Sequence, residues 1–503
     1  MDYSNYSKEE LIKLLNQKDE KIDALEVKIY EVQKEKNEVL KKLEEVLEKK
    51  LVESARRFAK KSEIKTNVFN EAETYHKEKS HPGRKEGSTN FDYEYLEAHV
   101  DNVITLEPEE SVCKECGDIL VDAGSDVTYK VSYKAAKLVV TKIISKKKVC
   151  PKGHMIVSPI KDDPFPHSIC TPSLAAQIMV DKFLLGVPYY RQSQYYYDEG
   201  IKLSRQDLCN YQMRATEILE KYYERLKYHL LNTKCKVICA DETTLKVVKE
   251  KKTCYMWVYL TSFYDQPIYI YDYAIDRKAD NPIKFLNGYH GYLLTDAYQA
   301  YDKVLGVTNC YCWVHARRNF MDIIKGLGEK QLKSSKAKKM VDMIDELFDL
   351  EREYRKKKLT PKQIKLERNK LEFISKIDKI KHYLDNIDAS PTSTLGKARD
   401  YMLKRWDGFL SFLKDGHVEM SNNISERAVK PFVIARKNFL FSFTSNGARS
   451  SAIYFSIQQT SRANGFDPKD FVITLLEKLR WNSTDEELDK LMPWNMKKAR
   501  TNE

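Results

Sequence analysis

The chain has 503 residues, of which 42% are hydrophobic, and this length predicts roughly two to four packed domains. Lys and Arg number 86 against 74 Asp and Glu, and the net charge of +12 favours a polyanionic partner such as nucleic acid. The N-terminal residues lack the pattern of a signal peptide, and no apolar run is long enough to span a membrane. Ten cysteines in so long a chain suit a reducing compartment, so we expect a cytoplasmic protein.

Residues 1–55 are predicted to form a coiled coil. Between residues 8 and 50, Leu, Ile and Val recur with a seven-residue period, and neither Pro nor Gly interrupts them. Lys18, Lys36 and Lys50 fall in core positions, which leaves a single solvated helix as the alternative. A coiled coil predicts a homo-oligomer.

Residues 56–100 are polar and are predicted to be a basic linker. Arg84 and Lys85 follow a Pro-Gly pair, and this segment could lie along a phosphate backbone or in a minor groove. A solvated tether is the alternative.

A zinc-binding β module is predicted over residues 101–170. Two pairs of soft ligands, the first in a Cys-x-x-Cys-Gly motif, suit a tetrahedral structural Zn²⁺ site. The expected ligands are Cys113, Cys116, Cys150 and His154. His167 and Cys170 are alternatives for the fourth ligand.

Residues 171–233 are predicted to be helical and to bind DNA. Thr171 can cap a first helix, residues 186–188 break the pattern, and Ser204 can cap another helix that begins with Arg205. Short helices with a capped helix bearing a basic residue are typical of a helix-turn-helix. Ordinary helical packing is the alternative.

The pattern changes to β over residues 234–326. Strands are expected at 236–240, 244–249, 254–263, 267–275, 291–295 and 308–314, with a short helix near 281–287 and a helix from His315. This order is close to that of a ribonuclease-H-like mixed sheet, in which the first strand and the strand after the helix are adjacent. Asp241 and Asp296 each follow an apolar run and are 55 residues apart (296 − 241). That adjacency would bring the two carboxylates together.

The remaining segments complete the predicted multidomain α/β architecture. Residues 327–405 are charged and helical and are predicted to be an insertion, and residues 406–480 return to the catalytic core. There Glu426 lies on a helix expected to begin at Ser421 and to end or kink before Pro431. Residues 481–503 form a C-terminal tail.

Three carboxylates from separate segments predict a metal site. Two Mg²⁺ or Mn²⁺ ions can activate a water or hydroxyl and stabilise the leaving oxygen of a phosphodiester, and they need carboxylate ligands. In this hypothesis Asp241 bridges the ions, Asp296 holds one and Glu426 holds the other. Glu242 is a rival ligand, but it points to the opposite face from Asp241 if the strand continues through both residues. Each Asp taken alone could simply start a turn.

Basic residues near these carboxylates are candidate DNA contacts. They are His315, Arg317, Arg318, Arg427, Arg436 and Lys437. The segment 436–441 also sets a basic fork beside an aromatic residue that could stack on an unpaired base. A buried aromatic core with a solvated basic edge is the alternative.

Several motifs occur in the order found in one family. They start at Ala240, Leu294, Cys312, Asn422, Arg436 and Asn464, and Lys182 opens a further matching stretch in the N-terminal half. On these motifs the chain resembles the large DDE-type transposases of the bacterial insertion sequence 66 family. The chain departs from the family pattern at Thr244, where Pro is frequent, at Ala297, where Gly is usual, and at His154, where a fourth Cys is common.

The resemblance implies a ribonuclease-H-like catalytic domain with an insertion, whose catalytic triad falls on Asp241, Asp296 and Glu426. It implies cleavage at the ends of the element and attack of the freed 3′-hydroxyl on target DNA, in association with the bacterial nucleoid. Small accessory proteins of the same element are possible partners. A metal-dependent nuclease that does not join strands, and a DNA-binding regulator with an inactive site, are the alternatives.

Overall fold

The structure is a computed structural model, and it describes residues 163–166, 168–232, 236–325 and 327–496. Residues 7–9, 18, 21 and 28 and two short strands, β1 (Lys148–Val149) and β2 (Ile156–Val157), are also described. The remainder of the predicted coiled coil and the linker with Arg84 and Lys85 lie outside the described residues. So do the predicted zinc ligands Cys113, Cys116, Cys150 and His154.

Three helices open the main described part, as the sequence predicts. They are α1 (Pro172–Phe183), α2 (Tyr189–Asp198) and α3 (Arg205–Asn232). Thr171 caps α1, since its hydroxyl accepts the amide of Leu174 at 3.3 Å. Gly186, at a φ of +69°, and Pro188 separate α1 from α2.

A five-stranded mixed sheet follows. Its strands are β3 (Val237–Lys246), β4 (Thr253–Thr261), β5 (Tyr269–Ala274), β6 (Tyr292–Thr295) and β7 (Thr308–Tyr311), and α4 (Asp280–Phe285) precedes β6. The strand order is β5-β4-β3-β6-β7. β4 pairs antiparallel with β3 and β5, whereas β6 is parallel to both β3 and β7. The predicted adjacency of the first strand and the strand after the helix is therefore confirmed.

β3 differs from its prediction in length. The sequence predicts one strand at 236–240 and another at 244–249, whereas the structure has one continuous strand from 237 to 246. The reason is its pairing with β4, which runs unbroken from Ile238 opposite Thr261 to Lys246 opposite Thr253. Asp241 therefore lies within a continuous strand, where it pairs with Val258 of β4, rather than at a strand end.

Helices cover the sheet and fill the insertion. After β7 they are α5 (Trp313–Ile324), α6 (Glu329–Ser334), α7 (Lys336–Lys356), α8 (Pro361–Arg368), α9 (Leu371–Asp385), α10 (Thr394–Leu403), α11 (Trp406–Phe409), α12 (Asn423–Phe439), α13 (Ser445–Ala463), α14 (Pro468–Lys478) and α15 (Asp485–Lys490). α12 packs against β3 and β4, and α13 packs against β5. None of the helices that the structure describes is long and apolar enough to cross a membrane.

The prediction that the Glu426 helix ends or kinks before Pro431 is wrong with respect to its end. α12 continues through Pro431 to Phe439, although proline lacks an amide to donate. Phe432 and Ala435 are buried beyond the proline, and the hydroxyl of Tyr271 donates to the carbonyl of Ala428 in the turn before it. These tertiary contacts hold the helix across the missing hydrogen bond.

A buried ion pair joins the sheet domain to the insertion. The Nε and Nη2 atoms of Arg317 on α5 donate to the carboxylate of Asp345 on α7 at 2.6 and 2.9 Å. Only 1% of the Arg317 side chain is exposed. Arg317 is therefore not placed to contact DNA, and its guanidinium holds α7 against the core.

We expect Arg317→Met to lower the free energy of unfolding by about 3 kcal/mol, because it leaves Asp345 without its charged partner. Urea denaturation measures this loss, and the double variant with Asp345→Leu should recover most of it. A loss of DNA affinity with unchanged stability would instead restore Arg317 as a DNA contact.

Candidate active site

The register of the sheet places Asp241 beside Asp296. Parallel pairing sets Cys239 on β3 opposite Leu294 on β6. Asp241 and Asp296 each come two residues after these paired residues. The offset between the paired residues (294 − 239) equals the offset between the two carboxylates (296 − 241), so they lie side by side at one end of the parallel pair. Both residues are partly buried.

The environment of Asp241 is strongly acidic. Burial raises the pKa of Asp241 well above its usual value, and the negative charges of Glu242, Asp296 and Glu426 raise it further. One hydrogen bond opposes these effects, since the amide of Glu242 donates to Oδ1 of Asp241 at 2.8 Å. All three predicted catalytic carboxylates are therefore near enough to interact electrostatically.

A tight turn fixes Asp296. Its Oδ1 accepts the amide of Tyr298 at 2.9 Å, and its carbonyl accepts the hydroxyl of Tyr401 on α10 at 2.8 Å. Ala297, between Asp296 and Tyr298, has a φ of +66°, in the left-handed region that glycine favours. The departure from the family pattern at Ala297 therefore falls on a residue whose backbone disfavours a side chain.

Asn422 positions the start of the helix that carries Glu426. Its side-chain amide donates to the carbonyl of Ala240 at 2.9 Å, and its backbone amide donates to Sγ of Cys312 at 3.1 Å. It is fully buried. One residue thus ties the beginning of α12 both to the strand that carries Asp241 and to the end of β7.

The carboxylate of Glu426 faces α5. Oε1 of Glu426 lies 3.3 Å from Nε2 of His315 and 3.8 Å from Nη2 of Arg318. Burial lowers the pKa of His315 to about 4, and the charge of Arg318 contributes, so the imidazole is neutral at pH 7. Nδ1 of His315 and Nε of Arg318 are buried without a hydrogen-bond partner among the described residues.

The donor set suits a hard divalent cation. Carboxylate oxygens are the ligands that Mg²⁺ and Mn²⁺ prefer, and burial, followed by the charges of the neighbouring carboxylates, raises the pKa of Asp241, an effect that a cation would oppose. Within the described ranges, however, no three His, Cys, Asp or Glu side chains are grouped closely enough to hold one ion. Asp241 and Asp296 are adjacent, whereas Glu426 is turned toward His315 and Arg318.

Glu242 is held apart from this pair. Its Oε1 accepts Nε of Arg277 at 2.7 Å and its Oε2 accepts the hydroxyl of Tyr301 at 2.7 Å. Burial raises the pKa of Glu242, and these two partners oppose the rise. Sequence reasoning gave no role to Arg277 or Tyr301, because neither lies in a motif.

Two further acidic residues and Cys170 lie apart from these carboxylates. Asp272 lies inside β5 beside the hydroxyl of Tyr223, and Asp276 accepts the amide of Lys278. Cys170, an alternative zinc ligand, is packed in the core, and burial raises the pKa of its thiol to about 12.

The predicted DNA contacts differ in exposure. Arg205, Arg427 and Lys437 are exposed, and the Arg205 guanidinium lies 5.8 Å from the ring centroid of Tyr190. Arg436 is partly buried and donates to the hydroxyls of Thr243 and Thr244 at 3.3 and 3.0 Å. Arg436 therefore contacts the same strand that carries Asp241.

A mixed sheet with carboxylates on two adjacent chain segments, just beyond the residues that pair β3 with β6, and a third carboxylate on a later helix fits a DDE-type domain. Residues 167–450 match the family model described as Transposase IS66 family. The chain belongs to the transposase IS66 family.

Three relatives come from Sinorhizobium fredii (strain NBRC 101917 / NGR234). Uncharacterized protein y4hP is 30% identical over 427 residues, which are 79% of this chain and 75% of the relative. Uncharacterized protein y4jD is 28% identical over 439 residues, or 82% and 84% of the two chains. Uncharacterized protein y4qI is 30% identical over 356 residues, or 65% and 63%.

We expect Ala297→Gly to raise the free energy of unfolding, by up to about 1 kcal/mol, because glycine removes the strain of a positive φ and this gain exceeds its entropic cost. Ala300→Gly is the matched control, since Ala300 has a φ of −66° and should lose about 1 kcal/mol. Urea denaturation midpoints measure both changes. Equal losses in the two variants would contradict strain at Ala297.

Proposed function

We propose that the chain is a DDE-type DNA transposase that cleaves the ends of an insertion sequence and joins the freed 3′-hydroxyl to target DNA. The observation that carries the proposal is the adjacency of Asp241 and Asp296, with Glu426 near enough to raise the pKa of Asp241. The strand order, with two antiparallel pairings followed by two parallel ones, supports a ribonuclease-H-like domain. Membership of the family supports DNA as substrate.

In this proposal Asp241, Asp296 and Glu426 hold Mg²⁺ or Mn²⁺. Bound there, the ions would activate a water or hydroxyl and stabilise the leaving oxygen. The strand pair holds Asp241 and Asp296 in fixed relative positions, and the buried first turn of α12 supplies Glu426. Glu242 is bound by Arg277 and Tyr301, and in this proposal it is not a metal ligand.

His315 and Arg318 orient Glu426 and face the substrate. Nε2 of the neutral His315 lies 3.3 Å from Oε1 of Glu426, and in this proposal the imidazole positions that carboxylate. Arg318 has buried Nε and Nη2 atoms without hydrogen-bond partners among the described residues, and such donors favour the arrival of an acceptor. A phosphate oxygen of the DNA is the acceptor that we propose.

The rest of the chain would assemble the complex on DNA. We propose that the N-terminal coiled coil joins copies of the chain, that Cys113, Cys116, Cys150 and His154 bind Zn²⁺, and that the helical region around Arg205 contacts the ends of the element. Arg84 and Lys85 in the linker, and Arg427, Arg436 and Lys437 near the site, would contact phosphates. Accessory proteins of the same element are further candidate partners.

We expect Asp241→Asn to reduce cleavage and joining by at least about a thousandfold, because it removes a charged metal ligand at nearly constant shape. The measurement uses labelled DNA with the element's own ends, target DNA and Mg²⁺. Asp378→Asn is the matched control, since Asp378 is exposed on α9 in the insertion.

The products separate the candidate functions. Joined DNA that disappears only in Asp241→Asn supports the transposase. DNA that is cut but never joined would establish a nuclease, and full activity of Asp241→Asn would refute the carboxylate site.

A further inference from the structure

A cluster of exposed apolar side chains follows the end of α12. Leu440, Phe441 and Phe443 are 66%, 45% and 60% exposed. We call residues 440–443 the aromatic tip. Single exposed apolar side chains are normal on a protein surface. Large apolar side chains that lie together there mark a binding site, because a bound partner removes their apolar surface from water.

The aromatic tip is fixed to the strand that carries Asp241. The amide of Ser442 donates to the carbonyl of Lys246 at 3.0 Å, and the amides of Val248 and Lys249 donate to the carbonyls of Ser442 and Phe443 at 3.0 and 3.1 Å. Leu440, with a φ of +65°, makes the turn out of α12. These bonds make the tip a rigid extension of β3.

The surface around the tip is basic. The turn between β3 and β4 and its two flanks carry four exposed lysines, which we call the lysine turn: Lys246, Lys249, Lys251 and Lys252. The only acidic residue among residues 246–252, Glu250, accepts the hydroxyl of Ser445. Nζ of Lys249 lies 5.5 Å from the ring centroid of Phe443. Aromatic faces interleaved with lysines are the chemistry that binds unpaired nucleotides.

The aromatic residues near the end of α12 differ in whether a ring face is open to stack on a base. Phe439 packs edge to face against Phe183, with ring centroids 6.2 Å apart, so its face is not open to a base. Phe441 and Phe443 are exposed beside the lysine turn. A second copy of this chain is a poorer occupant, because its net charge of +12 would repel the lysines.

The length of the strand sets the place of contact on DNA. Lys246 is five residues beyond Asp241 on β3 (246 − 241), and a strand rises about 3.3 Å per residue, so the tip lies about 17 Å from Asp241. At about 3.4 Å per nucleotide step this span is about five nucleotides.

We propose that the aromatic tip and the lysine turn bind DNA that is unpaired about five nucleotides from the cleaved phosphate, with Phe441 and Phe443 stacking on its bases and the lysines binding its phosphates. The proposal rests on the proposed function for the position of the cleaved phosphate. The stacking itself requires neither metal nor catalysis.

The test uses the full chain without divalent cation and a duplex that ends in a single-stranded tail of about five nucleotides carrying 2-aminopurine. We expect binding to quench the fluorescence of the tail. The double variant Phe441→Ala/Phe443→Ala should lose about tenfold in affinity for the tailed duplex and little for a blunt duplex, because only the tail offers open base faces.

Phe263→Ala is the matched control. Phe263 is 69% exposed, but it lies in the turn between β4 and β5, at the opposite end of β4 from the lysine turn. An equal loss with Phe263→Ala, an equal loss on blunt duplex, or unchanged affinity of the double variant would overturn the proposal. So would a change in oligomeric state of the double variant without a change in DNA affinity.

Failure of this proposal is distinguishable from failure of the proposed function. Asp241→Asn should still quench the tail, since the aromatic tip is intact. Quenching without any cleavage by the native chain would count against the function alone, and cleavage with a fully active double variant of unchanged affinity would count against the tip alone.

Discussion

The parallel pairing of β3 with β6 is the constraint on which the site depends. Asp241 and Asp296 each lie two residues beyond the last pair between these strands, so a one-residue shift of register would move them apart and turn one of them to the other face of the sheet. Pairing with β4 along nearly all of β3 prevents that shift. Backbone hydrogen bonds and the buried apolar sheet thus hold the two carboxylates close together despite their repulsion.

The helices bring the third carboxylate and the insertion into the same framework. Asn422 connects the start of α12 to Ala240, while Tyr401 at the end of the insertion donates to the carbonyl of Asp296. Arg317 fixes α7 to α5, whose first turn carries His315. The insertion is therefore in direct contact with the candidate site, and a change in its packing would shift the backbone of Asp296.

The sequence predicted the parts that follow from periodicity and failed where tertiary contacts decide. Apolar runs ahead of Asp241 and Asp296 gave their strands and their adjacency. The predicted end of α12 was wrong, because no local signal shows that buried residues hold a helix across Pro431. Arg317 looked like a DNA contact because its partner, Asp345, lies far along the chain. The binding of Glu242 by Arg277 and Tyr301 could not be predicted either, since the three residues come from separate segments.

The central claim is that Asp241, Asp296 and Glu426 share a divalent metal site, and localised cleavage by bound Fe²⁺ tests it most directly. Fe²⁺ in place of Mg²⁺, with peroxide and ascorbate, generates hydroxyl radicals that cut the backbone beside the ion. The account predicts fragments that end near residues 241, 296 and 426 and that disappear in Asp241→Asn. Cuts at other places, or the same cuts in the variant, would contradict it.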